Sequence, residues 1–140
     1  MREIKFRAWY NNKMWFVSSI RFDEGRIYLS ETKDLLPDTY LKINDKELKL
    51  MQYTGFKDKN GKEIYEGDIL EDKNFSSWCW YGVVQWFDSD GQYRLVDMLN
   101  SSKVSYPLRI GIEYKEVIGN VYENPDKVPS LFEDRNKDER

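Results

Sequence analysis

The cleanest hydrophobic pattern in the chain lies late in it. Val104, Tyr106, Leu108, Ile110, Ile112 and Tyr114 take every second position, with Ser105, Pro107, Arg109, Gly111 and Glu113 between them. A period of two belongs to an extended strand with one buried face, so Val104, Tyr106, Leu108, Ile110 and Ile112 are expected to face the core together. Pro107 has no N–H for a ladder and Gly111 no side chain to pack, which places this strand at a sheet edge or at a bulge. Shorter apolar segments alternate with turn residues elsewhere. IKFRAW (4–9) and KMWFV (13–17) flank Tyr10-Asn11-Asn12, and residues 18–22 and 26–29 flank Asp23-Glu24-Gly25; both read as hairpins. GVVQWF (82–87) and QYRLVDM (92–98) around Asp88-Ser89-Asp90-Gly91 give the strongest hairpin signal. Leu48 and Leu50, alternating with Lys49 and Met51, predict a further strand, and KEVIGNVY (115–122) closes the pattern. Helix is expected only as one turn over 30–36, capped by Ser30 or Thr32 and stopped by Pro37.

The stretch YTGFKDKNGKEIYEGDIL (53–70) mixes apolar residues with dense turn chemistry. Asp58-Lys59-Asn60-Gly61 has the residues of a tight turn, because Asn and Gly accept positive φ at low cost. Glu66-Gly67-Asp68 is a second bend before Ile69 and Leu70. A Gly-Asp pair ahead of an apolar strand is common in small SH3-like barrels, which suggests a partly open barrel portion by fold analogy. Asp58, Asn60, Glu63 and Glu66 also invite a calcium reading. The loop lacks the alternating oxygen ligands and the glycine at the sixth position that an EF-hand needs, so a structural turn is preferred.

Composition sharpens the picture. The chain has 140 residues, enough for one domain with a core of its own. A single alanine, Ala8, stands against 5 Trp, 10 Tyr and 7 Phe, which favours strands over helices. The reading is an all-β domain over Met1 to Pro125 with little helix, followed by a polar C-terminal tail over 126–140. Histidine is absent and Cys79 is the one cysteine, which excludes His-based triads, His-ligated zinc, Cys-rich zinc sites and internal disulfides. No metal or other cofactor is expected. A net charge of −3 disfavours nucleic acid as a partner. No apolar run reaches the length of a membrane span and MREIKFRAW lacks a signal-peptide core, so a cytoplasmic protein is expected.

Candidate chemistry narrows to Phe75-Ser76-Ser77-Trp78-Cys79-Trp80-Tyr81. As a strand, this run would set Trp78 and Trp80 on one face, Cys79 and Tyr81 on the other. Both faces cannot be exposed cheaply, so one enters the core and the other is available as an anchor. Trp78, Trp80 and Tyr81 are therefore the partner-binding candidates, since large rigid aromatic residues dominate protein interfaces. The rival use is an aromatic platform for nucleic acid, helped by Lys57, Lys59 and Lys62. Between tryptophans, Cys79 reads as an inert packed thiol. No carboxylate pair is placed across a substrate by spacing.

LMQYTGFKDKNGKEIYEGDIL (50–70), with MREIKFRAW at residues 1–9 and EVIGNVYENP at 116–125, resembles the YopX family of phage and prophage proteins. Three blocks in order span nearly the whole chain; the region between Asp72 and Tyr114 departs from the family. The resemblance implies an all-β fold of several coiled antiparallel sheets, and a small accessory protein of a temperate phage of Gram-positive bacteria made in the host cytoplasm. It supplies no catalytic mechanism. The shared residues Gly55, Asp58, Gly61, Glu66, Gly67, Asp68, Gly119 and Asn120 are mostly turn formers, and Asn60 belongs to the same turn motif. The expected function is a non-enzymatic module binding a host or phage protein or its own copies. The alternative is a small nucleic-acid-binding barrel acting through Phe75 to Tyr81.

Overall fold

The computed structural model describes residues 3–34, 36–99 and 104–129. The chain is all-β, with helix limited to two 3-10 turns among the described residues. It divides into two compact units, residues 1–53 and 54–140.

The first unit is an antiparallel sheet of order β4-β3-β2-β1-β5, built from β1 (Phe6–Tyr10), β2 (Lys13–Arg21), β3 (Arg26–Ser30), β4 (Thr39–Lys42) and the start of β5 (Lys49–Lys57). The turn between β1 and β2 forms at Asn11 and Asn12, whose φ values of 52 and 61 are the left-handed backbone that asparagine tolerates. Register runs from Arg7 opposite Phe16 to Tyr10 opposite Lys13. Ala8, Ile27 and Leu29 are buried on one face, with Tyr10, Trp15, Val17, Ile20, Leu41 and Leu48 packed around them. The helical turn expected over 30–36 is absent among its described residues. Ser30 ends β3 instead, and its hydroxyl accepts the Thr32 N–H at 3.1 Å, while the Asp38 carboxylate accepts the Glu31 N–H at 2.7 Å. Short polar side chains here satisfy backbone that a helix would have used.

In the second unit the end of β5 pairs with β6 (Glu63–Tyr65), and the Thr54 hydroxyl donates to the Ile64 carbonyl at 2.7 Å. The five-stranded sheet has the order β10-β9-β8-β7-β11, from β7 (Asp68–Glu71), β8 (Tyr81–Phe87), β9 (Gln92–Asp97), β10 (Ser105–Pro107) and β11 (Glu116–Asn120). It is open, with β10 and β11 at its edges, and no closed barrel forms among the described residues. Both of its faces are buried. Leu70, Val84 and Leu95 join Ile64, Cys79, Tyr93 and Leu108 on one side, while Ile69, Val83 and Val96 join Met98 on the other. Successive residues of one strand therefore serve opposite cores, each fully buried aliphatic side chain contributing about 1.5–3 kcal/mol. Order continues past the boundary expected at Pro125: Pro125–Lys127 form a 3-10 turn, and Val128 packs on the second core. The Tyr81 hydroxyl donates to the Lys127 carbonyl at 2.7 Å. Residues 130–140 of the expected tail lie outside the described residues.

The long strand expected over 104–114 is corrected. Extended pairing stops at Pro107, and Ile110 N–H bonds back to the Pro107 carbonyl at 3.1 Å. Gly111 follows with φ 72, and Ile112–Tyr114 form a 3-10 turn. Leu108 is buried at 1% exposure, but Ile110 is 38% exposed, so the five alternating residues do not share one core face. A proline that ends the ladder and a glycine free to turn left-handed override the period-two pattern. In urea denaturation, Leu108→Ala is expected to cost about 2–5 kcal/mol, and Ile110→Ala less than half of that. Equal losses would restore the single-face reading.

Candidate functional site

The run from Asp72 to Trp80 is a loop between β7 and β8, not the strand that its aromatic alternation suggested. Its base is closed by Asp72 N–H donating to the Trp80 carbonyl at 2.8 Å. Asp72 itself is 1% exposed. Its carboxylate accepts the Ser77 hydroxyl at 2.5 Å and the Asn74 N–H at 3.2 Å. Burial alone would push the carboxyl up. The hydrogen bonds from Ser77 and from the backbone N–H groups of Ser76, Ser77 and Asn74 outweigh it and hold Asp72 below the ordinary carboxylate value.

Across the loop stands Lys115, also 1% exposed. It directly follows the 3-10 turn, which returns the side chain towards carbonyls four and five residues back. The ammonium donates to Ser77 Oγ at 2.8 Å, to the Gly111 carbonyl at 3.2 Å and to the Ile110 carbonyl at 3.5 Å. Three donors thus meet three oxygens, the condition for burying a lysine. Burial lowers its pKa from the ordinary lysine value, opposed by the nearby carboxylates of Asp72 and Glu113. Ser77 sits between the two charges, accepting a hydrogen bond from the ammonium and donating its own to the carboxylate. Gly111 is required beside it, because a Cβ there would come within 2.6 Å of the Ser77 Cβ.

This frame presents aromatic rings to solvent. Trp78 is 77% exposed, Phe75 64% and Trp80 43%. The Phe75 and Trp80 rings meet edge to face at 4.6 Å, and Trp80 Nε1 donates to the Ser77 carbonyl at 2.7 Å. Trp80 is therefore held, while Trp78 stands clear of the loop. Tyr81 lies in β8, half-buried, with its hydroxyl committed to Lys127. Of the three candidates, Trp78 and Trp80 share the exposed loop and Tyr81 does not. Phe75 joins the surface in a left-handed conformation, φ 54, that no sequence signal announces. Cys79 points inward, its thiol pushed up to about 12 chiefly by burial. At the loop's edge Lys73 pairs with Glu116 at 2.8 Å.

The turn residues occupy structural positions in the same unit. Asp58 is buried, and its carboxylate accepts the N–H groups of Asn60, Lys62 and Val117, each at 2.9 Å. Asn60 Nδ2 reaches Glu116 at 3.3 Å. Gly55, Gly61 and Gly67 have φ 89, 82 and 84. The buried Asp68 carboxylate accepts the Tyr65 N–H at 2.8 Å. Gly119 marks the irregularity where β11 meets β7, and a Cβ there would collide with the Asn124 amide. Among the described residues no three Asp, Glu or Cys side chains gather as metal ligands do. No described helix is long and apolar enough to cross a membrane.

The YopX protein family model matches residues 5–128. The chain belongs to the YopX family. Its fold is similar to that of protein EF1440 from Enterococcus faecalis, at 24% identity and a TM-score of 0.62, covering 92% of this chain and 100% of that one. It is also similar to protein yopX from Bacillus subtilis, at 23% identity and a TM-score of 0.53 with the same coverage. At these identities the likeness extends to the fold alone. No curated protein matches. For this YopX-family chain the loop network generates a pH prediction. A carboxyl held below its unfolded value stabilises the fold fully above that value, and the contribution is lost as pH falls through the folded one. Urea unfolding followed from neutral pH down through the carboxylate range should show stability dropping in the wild type, with a shallower drop in Asp72→Asn. Parallel curves would mean that Asp72 is not stabilised as a carboxylate.

Proposed function

We propose that this YopX-family protein is a non-enzymatic accessory module, of phage or prophage origin and acting in the host cytoplasm, that binds a host or phage protein through the loop between β7 and β8. The observation that carries this reading is the exposure of Phe75, Trp78 and Trp80 on a loop whose frame is fixed from beneath by Asp72, Ser77 and Lys115. Large apolar rings exposed on a mobile loop would lose much of their binding energy to ordering. Here the loop backbone is already fixed, and each ring has only two torsions left to freeze. The phage origin rests on the family resemblance. Nucleic acid is the weaker occupant for this loop, because Lys73 beside it is paired with Glu116 rather than free to replace counterions.

Affinity capture from host lysate, quantified by mass spectrometry, tests the reading. Trp78→Ala and Trp80→Ala are each expected to reduce capture of the specific partner at least tenfold while leaving the melting transition of Trp78→Ala close to the wild type. Full retention of every captured protein in both variants would remove the loop from the interface.

A further inference from the structure

The net negative charge of the chain is unevenly placed. Residues 1–53 carry ten Lys and Arg against eight Asp and Glu, whereas residues 54–140 carry twelve against seventeen. Within the first unit the segregation is sharper, for none of the residues of β1 to β4, nor of β5 as far as Tyr53, is acidic. Paired residues of an antiparallel sheet share a face. Register therefore puts Phe16, Arg21, Arg26, Tyr28, Tyr40 and Lys42 on the face opposite the Ala8, Ile27 and Leu29 core. On β5 Met51 is buried at 2% exposure. The β2-β3-β4 end is open, with Phe16 at 38% and Tyr40 at 50%.

At that open end the side chains are arranged rather than scattered. The Tyr28 and Tyr40 rings lie 5.7 Å apart, and the Arg26 guanidinium sits over the Tyr40 ring at 4.3 Å. Lys42 is the cross-strand partner of Arg26, and Arg21 stands opposite Arg26 on the other side. Asp38, ahead of β4, is committed to the Glu31 N–H at 2.7 Å, and the acidic groups beside Arg21 and Arg26 come from the turn between β2 and β3. Asp23 pairs with Arg21 at 2.9 Å, and Glu24 lies 3.6 Å from Arg21 and accepts the Tyr28 hydroxyl at 2.8 Å. They leave Arg26 and Lys42 without a salt bridge among the described residues.

We propose that this face binds single-stranded nucleic acid, with Phe16, Tyr40 and the Arg26 guanidinium plane stacking on bases and Lys42 and Arg26 facing phosphates. Exposed flat rings interleaved with cations, on strands that carry no carboxylate, match a polymer that alternates flat bases with anionic phosphates. A duplex hides its base faces inside the stack and offers these rings nothing. The site lies in the first unit and is independent of the β7–β8 loop. It also differs from Lys57, Lys59 and Lys62, the basic patch expected beside the aromatic run.

Fluorescence anisotropy tests it with labelled oligothymidylate, the same strand in duplex, and labelled poly-glutamate as an acidic polymer without bases. The single strand should bind with an affinity that falls steeply with salt, ahead of the duplex and of poly-glutamate. Tyr40→Ala and Arg26→Ala should each weaken it by about tenfold, Tyr40→Phe should restore it, and Trp78→Ala should leave it unchanged. Lys42→Glu, an exposed change, reads the same face if Tyr40→Ala fails to fold. Absence of salt-dependent single-strand binding overturns the proposal, as does equal binding of duplex or poly-glutamate. So does undiminished binding in folded Arg26→Ala and Lys42→Glu proteins, and loss of binding in Trp78→Ala would move the site to the loop.

Discussion

A lysine ammonium taken out of water needs three oxygens, and the second unit is organised around supplying them. Lys115 finds its acceptors in Ser77, Gly111 and Ile110, so residues 110–115 must turn back on themselves and the 72–80 loop must lie against that turn. The Lys115 carbonyl in turn accepts the Lys59 N–H at 2.9 Å, and two residues on the Val117 N–H is held by Asp58. One short segment thereby ties the 58–62 turn, the aromatic loop and β11 together. Removing one partner of such a network leaves a charge stranded in low dielectric, so its members stand or fall together.

Much of the strand pattern was legible, and for a definite reason. Hairpins at 10–12, 23–25 and 88–91 are announced by local chemistry, asparagine and glycine doing what their backbones permit, and no distant contact is needed to decide them. What escaped was decided by distant partners. Lys115 looks like a surface charge until Ser77, 38 residues away, is placed beside it. The alternation over 104–114 is a true hydrophobic signal, yet Pro107 and Gly111 turn the chain before half of it can pair. The aromatic run from Phe75 to Tyr81 was singled out by composition, but its division into an exposed pair and a tethered tyrosine depends on Asp72 closing the loop, which no periodicity encodes. Phe75 belongs to the nucleic-acid alternative but not to the protein-binding candidates, although its bulk in a polar setting is the available clue.

Fold and function separate here along the chain's chemistry. The residues that carry the family likeness, among them Asp58, Gly61, Gly67, Asp68 and Gly119, satisfy backbone N–H groups or permit special backbone angles. They fix the turns of the scaffold from within. The exposed rings lie instead on the 72–80 loop and on the outer strands of the first unit. A scaffold whose turns are fixed from within does not depend on these exposed rings for its fold.

The closing segment of the described chain also has a practical bearing. Val121 and Val128 cover Ile69, Val83 and Val96 on the second face of the five-stranded sheet, with Lys127 latched to Tyr81 and Ile118. A sequence-based choice of end point at Pro125 would strip off the Val128 lid and leave part of a sheet face greasy. Protein trimmed there should come out of the cell self-associated and sticky, and its binding behaviour would report that raw face instead of either surface described above.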